Sequence, residues 1–241
     1  MANALAGRRQ ARDVLCRSRL FGHVEGALLD DMINRFQFET WAHGRTVPAE
    51  DVKDRFHVIV SGRLQVVQIN QETGRMVTLF LLAQGDAYDL LQLLTGEPCE
   101  GIFEARDNLD VLSLPTDEAR RWISEHPEFN RTFLPYLGHQ MRALSQLAGD
   151  LALHDTETRL AHLIMRHLEK DEHGTPRLKL INNLSHEVLA EMIGSVRAVV
   201  NRQLQHWRKA GIVKLNHGHI QINKLEALIE RVKRFQLPAP K

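Results

Sequence analysis

Five small or polar residues fall within eight positions near the C-terminus: Ser195, Arg197, Ala198, Asn201 and Arg202. A guanidinium offers a planar fork of donors, and an amide offers a donor and an acceptor side by side. Between Met192 and Leu225 there is no Asp or Glu, whereas Arg197, Arg202, Arg208, Lys209, Lys214 and Lys224 are all basic. His206, His217 and His219 add further donors. A basic run is often only a solvated helix face. Here it coincides with a recognisable local pattern, and it points to contact with nucleic acid.

That pattern spans Ser185 to Ile222. Ser185 is a good N-cap, and Glu187 stands in the first turn, where the helix dipole favours a carboxylate. Leu189 and Ile193 form a buried side, and Ala190 is small where a second helix must cross. Gly194 supplies the turn, and Ser195 is read as the cap of the next helix. Val200, Leu204 and Trp207 recur at helical spacing and face inward. Arg197, Ala198, Asn201, Arg202 and Gln205 then share the opposite side. Two helices joined by a glycine turn make a helix-turn-helix. The strands Ile212–Leu215 and His219–Ile222 flank Asn216-His217-Gly218 as a wing.

The rest of the chain reads as a support for this module. The first 154 residues carry 16 basic and 21 acidic side chains, a net −5, and the remainder 15 and 9, a net +6. A mildly acidic body therefore bears a basic C-terminal module. Residues 2–20 and the stretch around Leu28–Ile33 read as helices. From Phe36 to Leu114 the period becomes two, with turn signals at His43-Gly44, Ser61-Gly62, Glu72-Thr73-Gly74 and Gln84-Gly85-Asp86. Many short strands at this spacing predict a β-barrel or jelly roll, interrupted by a short helix at 89–94.

After Pro115 the helical period returns. Leu137, Gln140, Leu144, Leu147 and Leu151 alternate in steps of three and four, a narrow seam that predicts pairing with a second copy of the helix. About 18 helical residues would run roughly 27 Å. Asp155 caps a further helix carrying Leu160, Leu163, Ile164 and Leu168. The fold class is therefore α+β: a sensor-like barrel over 1–126, a dimerisation helix and hinge over 127–154, and a winged helix-turn-helix over 155–241.

Several function classes have no residues to carry them. No apolar run approaches the roughly twenty residues needed to span a bilayer, and the N-terminus lacks the apolar core of a secretion signal. Cys16 and Cys99 are the only cysteines, too few for a disulfide framework or a thiolate metal centre. A cytoplasmic setting fits. No metalloprotease, nucleophile-elbow, phosphate-loop or dinucleotide fingerprint places a catalytic group, so an enzyme is not expected. No metal site is expected either.

In order along the chain stand Ser61-Gly62-Arg63-Leu64, Gln84-Gly85-Asp86, Asp155 with Arg159-Leu160-Ala161, and Leu189-Ala190 with Ile193-Gly194 leading to Arg202. This ordered set resembles the CRP/FNR family of bacterial transcription regulators, over nearly everything after about Leu15. The resemblance implies an N-terminal double-stranded β-helix of the cyclic-nucleotide-binding type. It also implies a homodimer on double-stranded DNA and contact with RNA polymerase. Residue by residue, Arg197 matches the family's base-reading arginine, suited to guanine O6 and N7. Arg202 matches a second arginine that contacts base or phosphate, and Asn201 lies between them. Ser195, Lys214 and His217 fall where phosphate contacts are expected. Ala198 stands where the family often has glutamate. Alanine cannot accept from cytosine N4, so the half-site should differ from the best-known one.

At the ligand site the departures are larger. Cyclic-nucleotide binders of the family carry a glycine–glutamate pair for the ribose and an arginine–serine pair for the phosphate. Here Asp89 and Leu90 replace the first pair, and Glu100 and Gly101, after Cys99, replace the second. A carboxylate where a phosphate should sit is repulsive, so cyclic AMP is not the expected effector. Haem on His43 or His57, thiol chemistry at Cys16 or Cys99, another small molecule, and no effector at all remain open. So does a module that docks on a partner protein instead of DNA.

Overall fold

The computed structural model describes residues 2–52, 54–97, 101–170, 172, 175–216 and 219–233, and of 2–6, 170, 232 and 233 the backbone only. The chain divides into two compact units, Met1–Gly74 with Leu79–Ala143, and Leu144–Lys241 with Arg75–Thr78.

In the first unit, helices α1 (Ala2–Leu15) and α2 (Gly26–Arg35) precede the strands. The first helix stops short of Leu20, because a tight turn follows in which Ser18 accepts from the Phe21 amide. Strands β1 (Gln37–Trp41), β2 (Thr46–Pro48), β3 (Arg55–Ser61), β4 (Leu64–Ile69), β5 (Met76–Leu82) and β6 (Ala87–Tyr88) come next. A short helix, α3 (Leu90–Thr95), leads to β7 (Ile102–Ala105) and β8 (Leu109–Pro115). They form two four-stranded sheets, ordered β1-β8-β3-β6 and β2-β7-β4-β5. The registered pairs in both are antiparallel.

Strand β3 shows why the period-two pattern produces two cores. Its Phe56, Val58 and Val60, with Leu112 and Leu114 of β8, join a cluster with residues of the helices. Its Ile59 faces the other way, into a cluster with Trp41, Val66, Leu82, Tyr88 and Phe103 from both sheets. Successive side chains point to opposite faces of a strand, so this strand, covered on both faces, is buried from Phe56 to Val60. The expectation of a jelly roll is met.

The space between the sheets is filled by aromatic rings. His57 is 1% exposed and stacks on Tyr88 with centroids 4.6 Å apart and planes 14° apart. Trp41 meets His57 edge-on at 5.9 Å, and Phe103 tilts against Tyr88 at 4.7 Å. The His57 Nδ1 lies 3.1 Å from the Arg55 carbonyl. Burial depresses the His57 pKa to about 4, against the attraction of Glu39. Unfolded histidine titrates near 6.5, so between these values the unfolded chain binds more protons and stability falls on acidification. The loss across pH 6.5 to about 4 should reach about 3 kcal/mol for this group. Urea melts of the N-terminal unit at pH 7.5 and 4.5 should show a smaller difference in His57→Phe than in wild type. Equal differences would refute it.

Asp89 and Leu90 stand at the start of α3. Asp89 is the N-cap of α3, with φ of 56°, and its carboxylate accepts from the Gln92 amide at 3.3 Å. Leu90 is 7% exposed and belongs to the helical cluster. His43 is exposed on the turn after β1, and Cys16 is exposed at the end of α1.

Helix α4 (Thr116–Glu125) is followed by α5 (Pro127–Leu153), whose 27 residues span about 40 Å. This exceeds the expected 18 because Pro135 lies inside the helix rather than at its start. Both Pro135 and Arg131, whose carbonyl loses its partner, are exposed, so water can satisfy that group. The two units divide within this helix, between Ala143 and Leu144.

At least three of the five seam residues are engaged within their own chain, Leu151 by lying against Gly194. Leu137 packs on the helical cluster, and Gln140 donates to the Tyr136 hydroxyl at 2.9 Å. That hydroxyl also accepts from the Ala87 amide at 3.0 Å and donates to Asp86 at 3.1 Å, tying α5 to the Gly85 turn. Leu144 and Leu147 are half-buried, and Leu151 is 36% exposed. Leu134 and Met141, absent from the expected seam, are 61% and 65% exposed.

The second unit continues with α6 (Thr156–Arg166), β9 (Leu168–Lys170), β10 (Pro176–Leu178), α7 (His186–Met192) and α8 (Arg197–Lys209). Strands β11 (Val213–Asn216) and β12 (His219–Ile222) and helix α9 (Leu225–Lys233) complete it. Leu168, expected on α6, instead opens β9, because His167 closes the helix.

Candidate nucleic-acid interface

Each element that holds the interface has a local cause. The Asp155 carboxylate caps α6 by accepting from the Thr158 amide at 2.8 Å, and that bond lowers its pKa. Ser185 caps α7 by accepting from the Val188 amide at 3.2 Å. Between α7 and α8, Gly194 has φ of +59°, and a Cβ there would sit 2.5 Å from a Leu151 methyl. The backbone angle is the one that favours glycine, and a Cβ would in addition displace that methyl.

Helix α8 buries one side completely. Val200, Leu204 and Trp207 have no exposed surface, Val188, Leu189, Ala190 and Ile193 of the preceding segment are buried as well, and α7 packs on α8. The Trp207 indole donates to Glu157 of α6 at 2.9 Å, and Arg231 of α9 donates to the same oxygen at 2.9 Å. Burial raises the Glu157 pKa, but these two bonds outweigh it and hold the carboxyl below its ordinary value. One ionised carboxylate thus joins α6, α8 and α9.

The opposite side of α8 is open. Arg197, Ala198, Asn201 and Arg202 are all exposed, as are Arg208 and Lys209. Among the described residues, no ion pair or hydrogen bond engages the Arg197, Arg202 or Lys214 side chain. The wing is a two-stranded antiparallel hairpin with Val213 opposite Ile222 and Leu215 opposite Ile220. Lys214, between them, points outward. His217 lies outside the described residues, as do Cys99 and Glu100 of the expected effector site.

One expectation is corrected here. Ser195 does not cap α8: the N-cap is Val196, which has no side chain to accept a hydrogen bond. The turn after Gly194 is one residue longer than the glycine–serine spacing suggests, because the Ser195 amide still closes back on the Ala190 carbonyl at 2.8 Å. The first turn of α8 therefore has no side-chain cap; the Val199 amide is held by the Val196 carbonyl at 3.0 Å, and the amides of Arg197 and Ala198 lie ahead of it at the open helix end. Val196 itself is 56% exposed beside Arg197, a residue that sequence reasoning passed over. An unmatched β-branched residue at a position where a cap is expected is the signal that marks it.

The profile of the Crp-like helix-turn-helix domain matches residues 158–231. Over 225 residues the chain is 24% identical to the CRP-like cAMP-activated global transcriptional regulator of Mycobacterium tuberculosis, covering 92% of this chain and 99% of that one. Its fold is similar to that of a CooA mutant from Carboxydothermus hydrogenoformans, with a TM-score of 0.69, 20% identity and coverage of 83% and 89%. It is also similar to a CRP/FNR-family transcriptional regulator from Thermus thermophilus, with a TM-score of 0.64, 20% identity and coverage of 83% and 100%. Residues 158–231 therefore form a Crp-like helix-turn-helix domain, and with its β-rich N-terminal unit and long helix the chain is similar over most of its length to CRP/FNR-type transcription regulators.

Proposed function

We propose that the protein works as a homodimer that reads a two-fold-related duplex site through α8 of each copy. The observation that carries this reading is the division of α8 into a fully buried side and an exposed side bearing Arg197, Asn201 and Arg202. Arg197 reads guanine through a bidentate pair, and Arg202 reaches base or phosphate. Asn201 bonds a base or phosphate between them. Ser195, Lys214 and His217 hold phosphates and set the register. Ala198 leaves its base position without a carboxylate reader, and exposed Val196 suits the methyl group of thymine.

Dimerisation is supported by the apolar surface of α5. Leu144, Leu147 and Leu151 keep accessible surface, and Leu134 and Met141 extend it. A second copy of the helix would cover them. The dimer acts in the cytoplasm and engages RNA polymerase, as the family resemblance implies. No described helix is long and apolar enough to cross a membrane.

The barrel answers to a signal other than cyclic AMP. Asp89 is committed to capping α3, Leu90 is in the core, and the sequence supplies Glu100 where a phosphate contact would be needed. Haem is less well supported, since His57 is packed face to face on Tyr88. A second reading, thiol sensing, is favoured by the exposure of Cys16. The reading includes no catalytic step.

Selection from a pool of random duplexes tests it. The enriched site should be an inverted repeat with half-sites about one helical turn apart, and affinity for it should fall steeply with salt. An asymmetric site, or no enrichment of any duplex, would sink the dimeric reading. Sedimentation at micromolar concentration should show a dimer, and a monomer would overturn it.

A further inference from the structure

Where α5 ends and α6 begins, three metal-ligating side chains converge outside the DNA-binding face. Asp150 lies in the last turns of α5, His154 just beyond them, and His162 on α6. One carboxylate oxygen and one nitrogen of each ring all lie within 4.8 Å of one another. The His154 and His162 rings meet edge-on with centroids 4.9 Å apart. Together they line one side of an open cavity of about 430 Å³, whose other walls include Gln146, Leu153 and Met165.

We propose that this cluster is a binding site for a divalent first-row transition ion, held by Asp150, His154 and His162. Two imidazoles and one carboxylate are the donors of zinc, cobalt or nickel rather than of calcium or magnesium, which take oxygen ligands. Bonds of about 2.1 Å place adjacent donors roughly 3 Å apart, so the cluster must contract by less than about 2 Å. Rotation of the two half-buried imidazoles supplies that contraction.

The carboxylate is already oriented for the task. Asp150 is 6% exposed, and the Arg166 guanidinium holds its Oδ2 at 2.5 Å, leaving Oδ1 toward the histidines. His162 Nδ1 lies 2.6 Å from that oxygen. Without an ion the two atoms are in hydrogen-bond contact; with one, both turn to the ion, and Arg166 remains as the partner that fixes the carboxylate. Three protein ligands and an open side leave a coordination position for water or a small anion.

The ion would cross-link the end of α5 to α6. Through Glu157, α6 is hydrogen-bonded to Trp207 of α8, so the ion would bias how α8 is presented. This consequence for DNA affinity rests on the proposed reading of α8, whereas the ion site does not.

Chelator-treated full-length protein titrated with Co²⁺ tests the site, with Zn²⁺ as competitor and far-UV circular dichroism to confirm folding. One Co²⁺ per chain should bind with visible d–d absorption, and affinity should fall at least about tenfold in His154→Gln and in His162→Gln. No saturable binding, or wild-type binding in both variants, would overturn the site. Anisotropy on the selected duplex supplies the second arm. A several-fold change in DNA affinity on adding Zn²⁺, absent from both variants, supports the coupling. Site-specific ion binding with unchanged DNA affinity overturns the coupling alone. Failure to bind any duplex with or without Zn²⁺ overturns the DNA reading and leaves the ion site standing.

Discussion

Arg197→Ala is expected to weaken binding to the selected duplex by about 5- to 150-fold per half-site, the equivalent of about 1–3 kcal/mol for a bidentate base contact. On unrelated duplex at the same salt the loss should be only a few-fold, because there the side chain contributes one charge near phosphates. Anisotropy titrations on both duplexes separate these terms. The prediction depends on Arg197 being exposed with no carboxylate partner among the described residues, so its removal leaves the fold intact. Lys214→Ala provides the contrast. It should weaken both duplexes alike and reduce the salt slope by about one. Equal losses on both duplexes for Arg197→Ala would remove it as a base reader. Ala198→Glu should shift the preferred base at its position, since a carboxylate accepts from cytosine N4 and alanine cannot.

The largest effect on stability should come from Trp207→Ala. This side chain is fully buried and is the only large aromatic of the C-terminal unit among the described residues. Truncating a buried tryptophan costs about 3–5 kcal/mol through lost burial and the cavity left behind. The Glu157 carboxylate would also lose its indole donor and keep only Arg231. Trp207→Phe should retain most of the packing and lose about 1–2 kcal/mol through the hydrogen bond. Urea unfolding followed by far-UV circular dichroism, fitted to the transition of the second unit, should rank wild type, Trp207→Phe and Trp207→Ala in falling order. An unshifted midpoint for Trp207→Ala would mean that α8 is held by something other than its buried side. DNA binding should fall with the unit's stability, because the exposed arginines are positioned only while that side stays packed.

The helix-turn-helix was legible because its information is local. The three-and-four spacing of Val200, Leu204 and Trp207, the glycine at 194 and the missing carboxylates all act within one or two turns of chain. The Ser195 cap was misplaced by one residue for a related reason: the residue that leaves the turn is decided by where the backbone closes, at Ala190. Helix α5 is longer than the seam predicts because a proline in sequence reads equally as a helix start or a kink, and the exposure of Arg131 and Pro135 shows why the helix passes through it. In the seam, spacing alone ranked Gln140 with the leucines. Its use by Tyr136, and through Tyr136 by Asp86, depends on how α5 lies on the sheet beneath it.

By itself the sequence determined the order of elements, the change of period from helix to strand and back, and the face of α8 that carries the charge. Tertiary structure decided which distant side chains meet. His57 and Tyr88 stack because β3 pairs with β6, and Asp150 reaches His162 because α5 and α6 fold back on each other at Asp155. Hydrophobic period and capping act over a few residues and can be read along the chain. Contacts between elements depend on strand register and on packing across a core. The arginines that read DNA belong to the first kind of information, and the proposed ion site belongs to the second.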